Sequence, residues 1–519
     1  MKPVADTFTD AADPVTPRPV DDLAVPVTAP VPAPGDRFAR WTALVTLLGA
    51  INLFVGLGTN SIARDEGFSI STSLRSWSSL AKLSIHTETN AWLYAFALKA
   101  WSALGTSPAM LRVPSALAMV AAIPLTALVA RRLFGDRVAL LAAGAVAANG
   151  AVLMFAQQVR TYGFAVALAL AAMVAFLAEV TRPSRRNLVL WVVLVALTAQ
   201  TQLHTVTIFV PQLIALAALP AAQRQWRRRV GALAVGLVIV SPVPIIISRH
   251  EEGQGLFSLR LGVFRDVLYT FTGRGGVPGV LVFGVAGLVL LGLTRRAWDG
   301  PDAWRRFGLV LVLAWVAVPF LMLFGASLVL QPTLIGRYLL FCVPAMAIAL
   351  GLAADLVLRQ GWKRSLAIAA VVVLGAGAAR GSVSWHVDSK TEHWDEVAAY
   401  VFANARATDR LVVANDSIQL FFTYERTRQG APPAGPQPGY PAGAWGSYQT
   451  GDQRYDSPTA DELVVATKDA PRVWVVIGRH HVNTEVMPDR LKALDASFRL
   501  VETRSFPVDI DVLLYERTA

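Results

Sequence analysis

Two adjacent carboxylates, Asp65 and Glu66, follow the first long apolar segment of the chain. A carboxylate can act as a general base where it reaches a proton. Ionisable side chains are costly near lipid, so a pair of them beside an apolar segment marks a candidate functional site. The structural alternative is that the pair caps a helix at the membrane surface through its first-turn amide groups. We expect chemistry at the outer face of a membrane.

A second group of polar residues, His86, Glu88 and Asn90, follows the carboxylate pair. An imidazole and a carboxylate two residues apart form part of a metal-site pattern. Two ligands do not define a site, so a divalent cation such as Mg or Mn stays an open cofactor. The structural alternative for His86 is a loop histidine that its surroundings satisfy.

The composition predicts a polytopic α-helical membrane protein. Of the 519 residues, 54% are hydrophobic and 16% charged, and the mean hydropathy is +0.47. A soluble protein of this size would need more polar surface. Runs of about 17 to 25 apolar residues, long enough to cross the hydrocarbon core, give about eleven transmembrane helices. They lie near residues 41–59, 112–130, 138–156, 163–180, 188–203, 206–222, 230–247, 277–294, 307–330, 338–358 and 366–380.

A shorter apolar stretch at residues 91–104 contains Lys99 and is rich in aromatic residues such as Trp92 and Trp101. Tryptophan and tyrosine favour the membrane interface, where a lysine can also reach water. The stretch therefore predicts a helix that lies at the membrane surface and does not cross it.

The basic residues predict the orientation. Short cytoplasmic loops collect arginine and lysine, and the clusters fall in every second loop if residues 91–104 do not cross. This places the N-terminus in the cytoplasm and the C-terminal region outside the cell membrane. The net charge of +11 follows from this topology, so we expect no nucleic-acid partner. The clusters contain Arg131, Arg132, Arg137, Arg182, Arg185, Arg186, Arg224, Arg227, Arg228, Arg229, Arg295, Arg296, Arg305, Arg306, Arg359, Lys363 and Arg364.

Three regions follow from the composition. Residues 1–38 are rich in proline and lack an amphipathic period, which predicts a disordered cytoplasmic tail. Residues 39–384 form the transmembrane domain, with a first extracytoplasmic loop at 60–111. Residues 385–519 alternate short apolar strands with helical patterns and predict an extracytoplasmic α/β domain. Within it, residues 430–457 are rich in glycine and proline and predict a long loop.

The predicted outer side collects the polar residues that resemble a site. Besides the two groups above, it holds Gln157, Gln158, Arg160, Tyr162, Gln200, Gln202, His204, Arg249, His250, Glu251, Glu252, Gln331, Arg337 and Tyr338.

Several motifs resemble those of membrane glycosyltransferases of the GT-C superfamily, in particular the actinobacterial type of family 39, which includes protein O-mannosyltransferases and aminoarabinose transferases. They are Arg64-Asp-Glu-Gly67, His86-Thr-Glu-Thr-Asn90, Leu111-Arg-Val-Pro-Ser-Ala116, Arg160-Thr-Tyr162 and Gly336-Arg-Tyr338. The resemblance implies the GT-C fold. It also implies transfer of a sugar from a polyprenyl-phosphate carrier to an acceptor, with mannose as the first candidate sugar.

The resemblance also implies roles for individual residues. Asp65 is the expected base for the acceptor, and Glu66 is a supporting carboxylate. Because negative charge grows on the leaving phosphate, fixed cations beside it lower the barrier. Arg337 and then Arg160 are the expected cations, although either arginine could instead extend to lipid headgroups. Further donor-binding candidates are Tyr338, Tyr162, His86, Glu88 and Asn90.

Two other classes stay open. A polytopic transporter usually places ionisable groups near the bilayer midplane, whereas the predicted spans are nearly free of charge. A non-catalytic envelope-assembly protein would explain the external domain and leave the outer polar residues unexplained. Expected partners are the sugar donor, membrane lipids, and an acceptor that is a glycan, a lipid or a secreted protein.

Overall fold

The computed structural model describes residues 36–86, 91–240, 261–273, 276–329, 333–359, 365–366, 368–369, 372, 383–386, 392–429, 435–443, 445, 457–478 and 486–518. Within these ranges the chain is mostly helical up to residue 359 and carries a β-sheet in its last quarter.

The apolar segments of the sequence form the helices. In chain order they are α1 (Asp36–Phe54), α2 (Arg64–Leu74), α3 (Trp77–His86), α4 (Trp92–Trp101), α5 (Pro108–Phe134), α6 (Asp136–Ala147), α7 (Gly150–Ala156), α8 (Tyr162–Thr181), α9 (Arg185–Thr201), α10 (Phe209–Leu216), α11 (Ala221–Arg224), α12 (Trp226–Val240), α13 (Leu261–Thr272), α14 (Gly276–Trp298), α15 (Ala303–Val329) and α16 (Val343–Arg359). Short 3₁₀ helices, Leu203–Ile208 and Gly336–Cys342, lead into α10 and α16.

Five helical segments of the described chain are long and apolar enough to cross a membrane: α5, α8, α14, α15 and Gly336–Arg359. A sixth crossing results if the bent pair α6 and α7 counts as one. The first ten predicted segments all coincide with helix over most of their described length, while 366–380 lies largely outside the described residues. The total of eleven therefore stays a prediction. Helix α4 has ten residues, about 15 Å, and is too short to cross.

A break between α6 and α7 places the loop that follows at the site. The two helices meet at 56°, and Asn149 forms the joint. Its side-chain oxygen accepts hydrogen bonds from the backbone N–H groups of Ala151 and Val152, which caps α7. Its amide nitrogen donates to the carbonyl oxygen of Phe271 in α13. The bend thus directs residues 157–161 toward α2.

The last quarter of the chain forms a five-stranded mixed sheet with strand order β2-β1-β3-β5-β4. Strand β1 lies between β2 and β3 in parallel pairings, whereas β5 is antiparallel to β3 and β4. The strands are β1 (Arg410–Val413), β2 (Gln437–Tyr440), β3 (Arg472–Gly478), β4 (Phe498–Phe506) and β5 (Ile510–Arg517), and the helices are α17 (Trp394–Asn404), α18 (Gln419–Gln429), α19 (Ala460–Thr467) and α20 (Met487–Leu491).

One segment differs from the sequence prediction, and one helix lies outside the predicted apolar segments. The predicted loop at 430–457 contains β2, which pairs with β1 although its sequence is Gln-Pro-Gly-Tyr. The interval between residues 249 and 276, which has no long apolar run, contains the amphipathic helix α13. For β2, tertiary contacts stabilise a segment that local propensity disfavours.

The sheet domain packs against the helix that carries the carboxylate pair. One buried apolar cluster joins Ile62 and Ile70, beside and within α2, to Trp394 and Phe421 of the domain. The Trp394 and Phe421 rings stack with centroids 4.8 Å apart. The backbone N–H of Asp395 donates to the Ser61 hydroxyl at 3.2 Å. The domain therefore forms one wall of the surroundings of α2.

Candidate active site

Glu66 is a buried anchor beneath the site. Its two carboxylate oxygens accept hydrogen bonds from Nε and Nη2 of Arg112, each at 2.9 Å. They also accept from the backbone N–H groups of Ala63, at the start of α2, and of Val159, at 2.9 and 2.8 Å. Both side chains of the ion pair are almost fully buried, with exposures of 2% and 1%. Four donors thus satisfy Glu66 and join α2, α5 and the loop before α8.

Arg112 completes this anchor. Its guanidinium also donates to the carbonyl oxygens of Leu57, Asn60 and Ser61, at 2.9 to 3.0 Å. Such a planar donor can bind a carboxylate and several carbonyl groups at once, which an ammonium cannot do as rigidly. The loop that leads into α2 is therefore fixed, and so is the start of the helix.

Asp65 points the other way, into a partly open region. Its carboxylate forms an ion pair with Arg337, with 3.2 Å between Oδ2 and Nη1. The Asp65 side chain is 42% exposed and that of Arg337 30% exposed. In the first turn of α2, the neighbouring carboxylates therefore have opposite environments. Glu66 caps α2, as the structural alternative for the pair predicts. Of the two carboxylates, only that of Asp65 is accessible to a ligand.

Arg160 lies against the same turn of α2. Its Nη1 donates to the Asp65 carbonyl oxygen at 3.0 Å and to the Ser69 hydroxyl at 3.4 Å. Burial disfavours its charged form, but Tyr162 and the Asp65 carboxylate outweigh that effect and raise the pKa of Arg160 above its ordinary value. The guanidinium therefore stays charged, which fits a site for an anion.

A second carboxylate contacts the backbone next to Arg337. Asp266 in α13 accepts a hydrogen bond from the backbone N–H of Gly336 at 2.8 Å. A Cβ atom at Gly336 would lie 2.6 Å from both the carbonyl oxygen and Oδ2 of Asp266, so only glycine permits this approach. The contact holds the start of the 3₁₀ helix that carries Arg337 and Tyr338.

A small cavity of about 110 Å³ opens beside Arg160. Its polar wall includes Ser69, Arg160, Tyr162, Gln202 and Tyr338. The ring of Tyr338 stacks on that of His204, with centroids 4.6 Å apart and planes 13° apart. Three of the residues expected to bind a donor, Arg160, Tyr162 and Tyr338, thus line one space, although they come from distant parts of the chain.

Several buried donors at this site have no hydrogen-bond partner within the described part of the chain. They include Nε of Arg160, Nε of Arg337 and Nε2 of Gln202. Buried polar groups are normally satisfied, so these atoms mark a place where a polar ligand fits. Within the described residues, the guanidinium groups of Arg160 and Arg337 both lie beside Asp65. The arrangement is suited to an anion that also carries hydrogen-bond acceptors.

The structure brings together five of the predicted site residues: Asp65, Arg160, Tyr162, Arg337 and Tyr338. Glu66 lies directly beneath them without facing the cavity. The side chain of His86, and all of Glu88 and Asn90, lie outside the described residues. In the described part of the chain, no three His, Cys, Asp or Glu side chains are grouped to hold a metal ion.

Sequence reasoning missed two supporting residues, Arg112 and Asp266. Arg112 lies inside a quoted motif, but nothing local indicates that it pairs with Glu66. For Asp266 a signal was present, because Phe264, Val267 and Phe271 recur at helical spacing around it. That pattern predicts an amphipathic helix and would have placed Asp266 on an ordered element.

Comparisons with known proteins agree with the fold. Residues 89–246 match the family model described as dolichyl-phosphate-mannose-protein mannosyltransferase. No curated protein gives a significant sequence match. One similar solved structure is ArnT from Cupriavidus metallidurans bound to undecaprenyl phosphate, with a TM-score of 0.60 and 15% identity over 92% of this chain and 98% of that chain.

A second similar structure is the archaeal oligosaccharyltransferase AglB from Archaeoglobus fulgidus, in complex with an inhibitory peptide and a dolichol-phosphate. Its TM-score is 0.52 and its identity 12%, over 92% of this chain and 74% of that chain. The chain shares the fold of these two structures. At these identities the likeness concerns the architecture, and the chemistry has to be argued from the residues of this chain.

Proposed function

We propose that this protein is an integral-membrane glycosyltransferase that moves a sugar from a polyprenyl-phosphate carrier to an acceptor. The observation that carries the proposal is the ion pair between Asp65 and Arg337 beside the partly buried Arg160. A carboxylate for the acceptor and two cations for a phosphate are the groups that this transfer needs. The GT-C fold and the matched family model support the same class of reaction.

In this proposal the phosphate of the donor lies between Arg337 and Arg160. The linking phosphate carries one negative charge in the donor and gains charge as the bond to the sugar breaks. Two fixed guanidinium groups therefore interact more strongly with the leaving phosphate than with the intact donor, which lowers the barrier. The unpartnered Nε atoms of both arginines supply the additional donors.

Asp65 is the catalytic base of the proposal. Its carboxylate contacts Arg337 at 3.2 Å, so a phosphate that binds Arg337 would compete for that contact. Sharing Arg337 with the phosphate leaves a carboxylate oxygen available for the proton of the acceptor. Donor binding and activation of the base are thereby linked through one arginine. Glu66 is a positioning residue, because its four hydrogen bonds leave it no access to substrate.

The finer identity of the reaction rests on the sequence resemblance. We propose mannose as the sugar and a secreted protein, a glycolipid or a cell-envelope glycan as the acceptor, within the actinobacterial type of family 39. We further propose that the chain crosses the cell membrane about eleven times, with the N-terminus in the cytoplasm and the sheet domain outside. The transporter and assembly-protein alternatives are less favoured, since neither requires a carboxylate beside two partly buried arginines.

The experiment is sugar transfer by the full chain in lipid nanodiscs, with radiolabelled polyprenyl-phosphate-mannose and a panel of other polyprenyl-phosphate sugars. We expect transfer with at least one donor. Asp65→Asn keeps the side-chain size and removes the base, so turnover should fall about a hundredfold or more. Near-parental turnover in this variant would show that Asp65 is not the base.

The matched control is Asp136→Asn. Asp136 also pairs with an arginine, Arg131, and its side chain is 50% exposed. It is the first residue of α6, away from the site, and the loss of its charge should leave turnover unchanged. If neither the parent chain nor the control transfers any sugar of the panel, the glycosyltransferase proposal fails.

A further inference from the structure

A long groove runs between α1 and α5, apart from the candidate active site. Its volume is about 760 Å³. At one end the helices touch closely, because a Cβ atom at Gly49 would lie 2.4 Å from Ile123. From this contact the helices diverge and leave a space lined by small residues of α1, including Ala43 and Thr46.

The other end of the groove is basic. Arg131 and Arg132 line it, and the Arg131 guanidinium lies 4.3 Å from the centre of the Phe38 ring. Arg131 is paired with Asp136. Arg132 donates to the carbonyl oxygen of Val174 at 2.7 Å and has no ion pair with a carboxylate in the described ranges.

More arginines stand at the same end. Arg37 and Arg40 line an adjoining recess on the other side of α1. Among the described side chains at this end, Asp136 is paired with Arg131. Counted over those side chains, the arginines exceed the carboxylates, and this end is basic.

The outer surface of α1 beside the groove is apolar. Several large apolar side chains of α1 are exposed on its outer face, including Trp41 at 51% and Leu47 at 58%. In a membrane that face contacts acyl chains. An occupant with an apolar chain for the groove and a negative headgroup for the arginines matches both of its parts.

We propose that this groove is a binding site for an anionic glycerophospholipid, with one acyl chain along α1 and α5 and the phosphate at Arg132 and Arg131. The headgroup charge selects the lipid, because a zwitterionic lipid adds a cation that the arginines repel. The site is separate from the donor site and does not depend on the reaction that the protein catalyses.

The experiment is a native mass-spectrometry titration of the full chain in detergent with dioleoyl-phosphatidylglycerol and, separately, dioleoyl-phosphatidylcholine. We expect the first lipid to bind at least about fivefold more tightly, the effect of the attraction between one basic residue and a headgroup with a net negative charge. Arg132→Gln should remove that selectivity. Ala43→Phe should fill the groove and weaken the binding of both lipids.

Two controls match these variants. Arg296→Gln removes an exposed arginine at the end of α14, and Val285→Phe adds an aromatic ring at an exposed position of the same helix. Neither position lines the groove, so both should keep the parental selectivity.

Equal binding of the two lipids by the parent chain would overturn the proposal, and so would parental affinity in Ala43→Phe. Decaprenyl phosphate, added as a competitor, tests whether the groove prefers the lipid carrier of the sugar donor. If it binds more tightly than phosphatidylglycerol, the groove is a site for the donor. If residues 1–35 fill the groove, the full chain will bind neither lipid there, which also overturns the proposal.

Discussion

The carboxylate of Glu66 and the guanidinium of Arg112 form a doubly hydrogen-bonded ion pair directly beneath the exposed carboxylate of Asp65. The pair joins two parts of the chain that are far apart in sequence. It turns the first turn of α2 into a rigid support for the neighbouring side chain.

Removing the charge of Glu66 should destabilise the protein more than it changes the chemistry. Glu66→Gln leaves Arg112 charged and buried, and the loss of one partner of a buried pair typically costs about 3 to 5 kcal/mol. Thermal unfolding in detergent should show a clear decrease in Tm. Glu462→Gln is the control, since Glu462 also caps a helix but is exposed. An equal effect in both variants would contradict the anchoring role.

Arg337 should act through both its charge and its shape. Arg337→Ala should weaken the use of the phosphate-linked donor, with kcat/KM reduced about a hundredfold by the loss of one fixed cation. Arg337→Lys should recover part of the lost kcat/KM, because lysine keeps the positive charge but lacks the planar guanidinium donor. Steady-state kinetics with varied donor provides the measurement. Arg359→Ala, which removes an arginine paired with Asp355, should match the parent; parental kinetics in Arg337→Ala would exclude the phosphate role.

Asp266 should influence the reaction through the position of Arg337. Asp266→Ala removes the acceptor for the Gly336 N–H and leaves a buried donor unsatisfied, at a cost of about 1 to 3 kcal/mol. We expect the KM for the donor to rise about tenfold while the KM for the acceptor is unchanged. Asp266→Asn keeps an acceptor oxygen and should restore much of the affinity. A uniform loss of folded protein in both variants would indicate a purely structural role.

The contact between the sheet domain and α2 should affect both stability and activity. Phe421→Ala removes a buried ring that stacks on Trp394 and also touches the Gly67 region of α2. Such truncations cost about 3 to 5 kcal/mol. Limited proteolysis should show earlier cleavage, and the remaining folded protein should turn over more slowly. Val465→Ala, at a position that is 75% exposed, is the control. Unchanged turnover in Phe421→Ala would show that the sheet domain does not influence the site.

Much of the architecture follows from the sequence alone. Long apolar runs have few ways to be satisfied in lipid other than as helices, so α5, α8 and α15 were predictable from hydropathy. In the sheet domain, the helix at Trp394–Asn404 and the strand at Arg472–Gly478 follow from apolar periodicity. The start of helix α19 carries a recognisable sequence signal, because Thr459 and Glu462 form a capping box.

The candidate site was predictable only in part. The residue types of Asp65, Arg160 and Arg337 indicated chemistry, and their shared position at one end of the helices followed from counting spans. The different environments of Asp65 and Glu66 did not follow, because adjacent residues of a helix point about 100° apart and only the packing of Arg112 decides which one is buried. The same holds for Asp266, whose role depends on a contact across the fold.

The hydrogen bond from the Asp395 N–H to Ser61, together with that from the Tyr424 hydroxyl to the carbonyl oxygen of Thr106, has a topological consequence. Segments that touch in water lie on the same side of the bilayer, so the chain between residues 106 and 395 crosses an even number of times. The apolar segments predicted between residues 112 and 380 satisfy this parity. Any revision of their number must add or remove crossings in pairs, and a crossing by α1 would place the two chain ends on opposite sides.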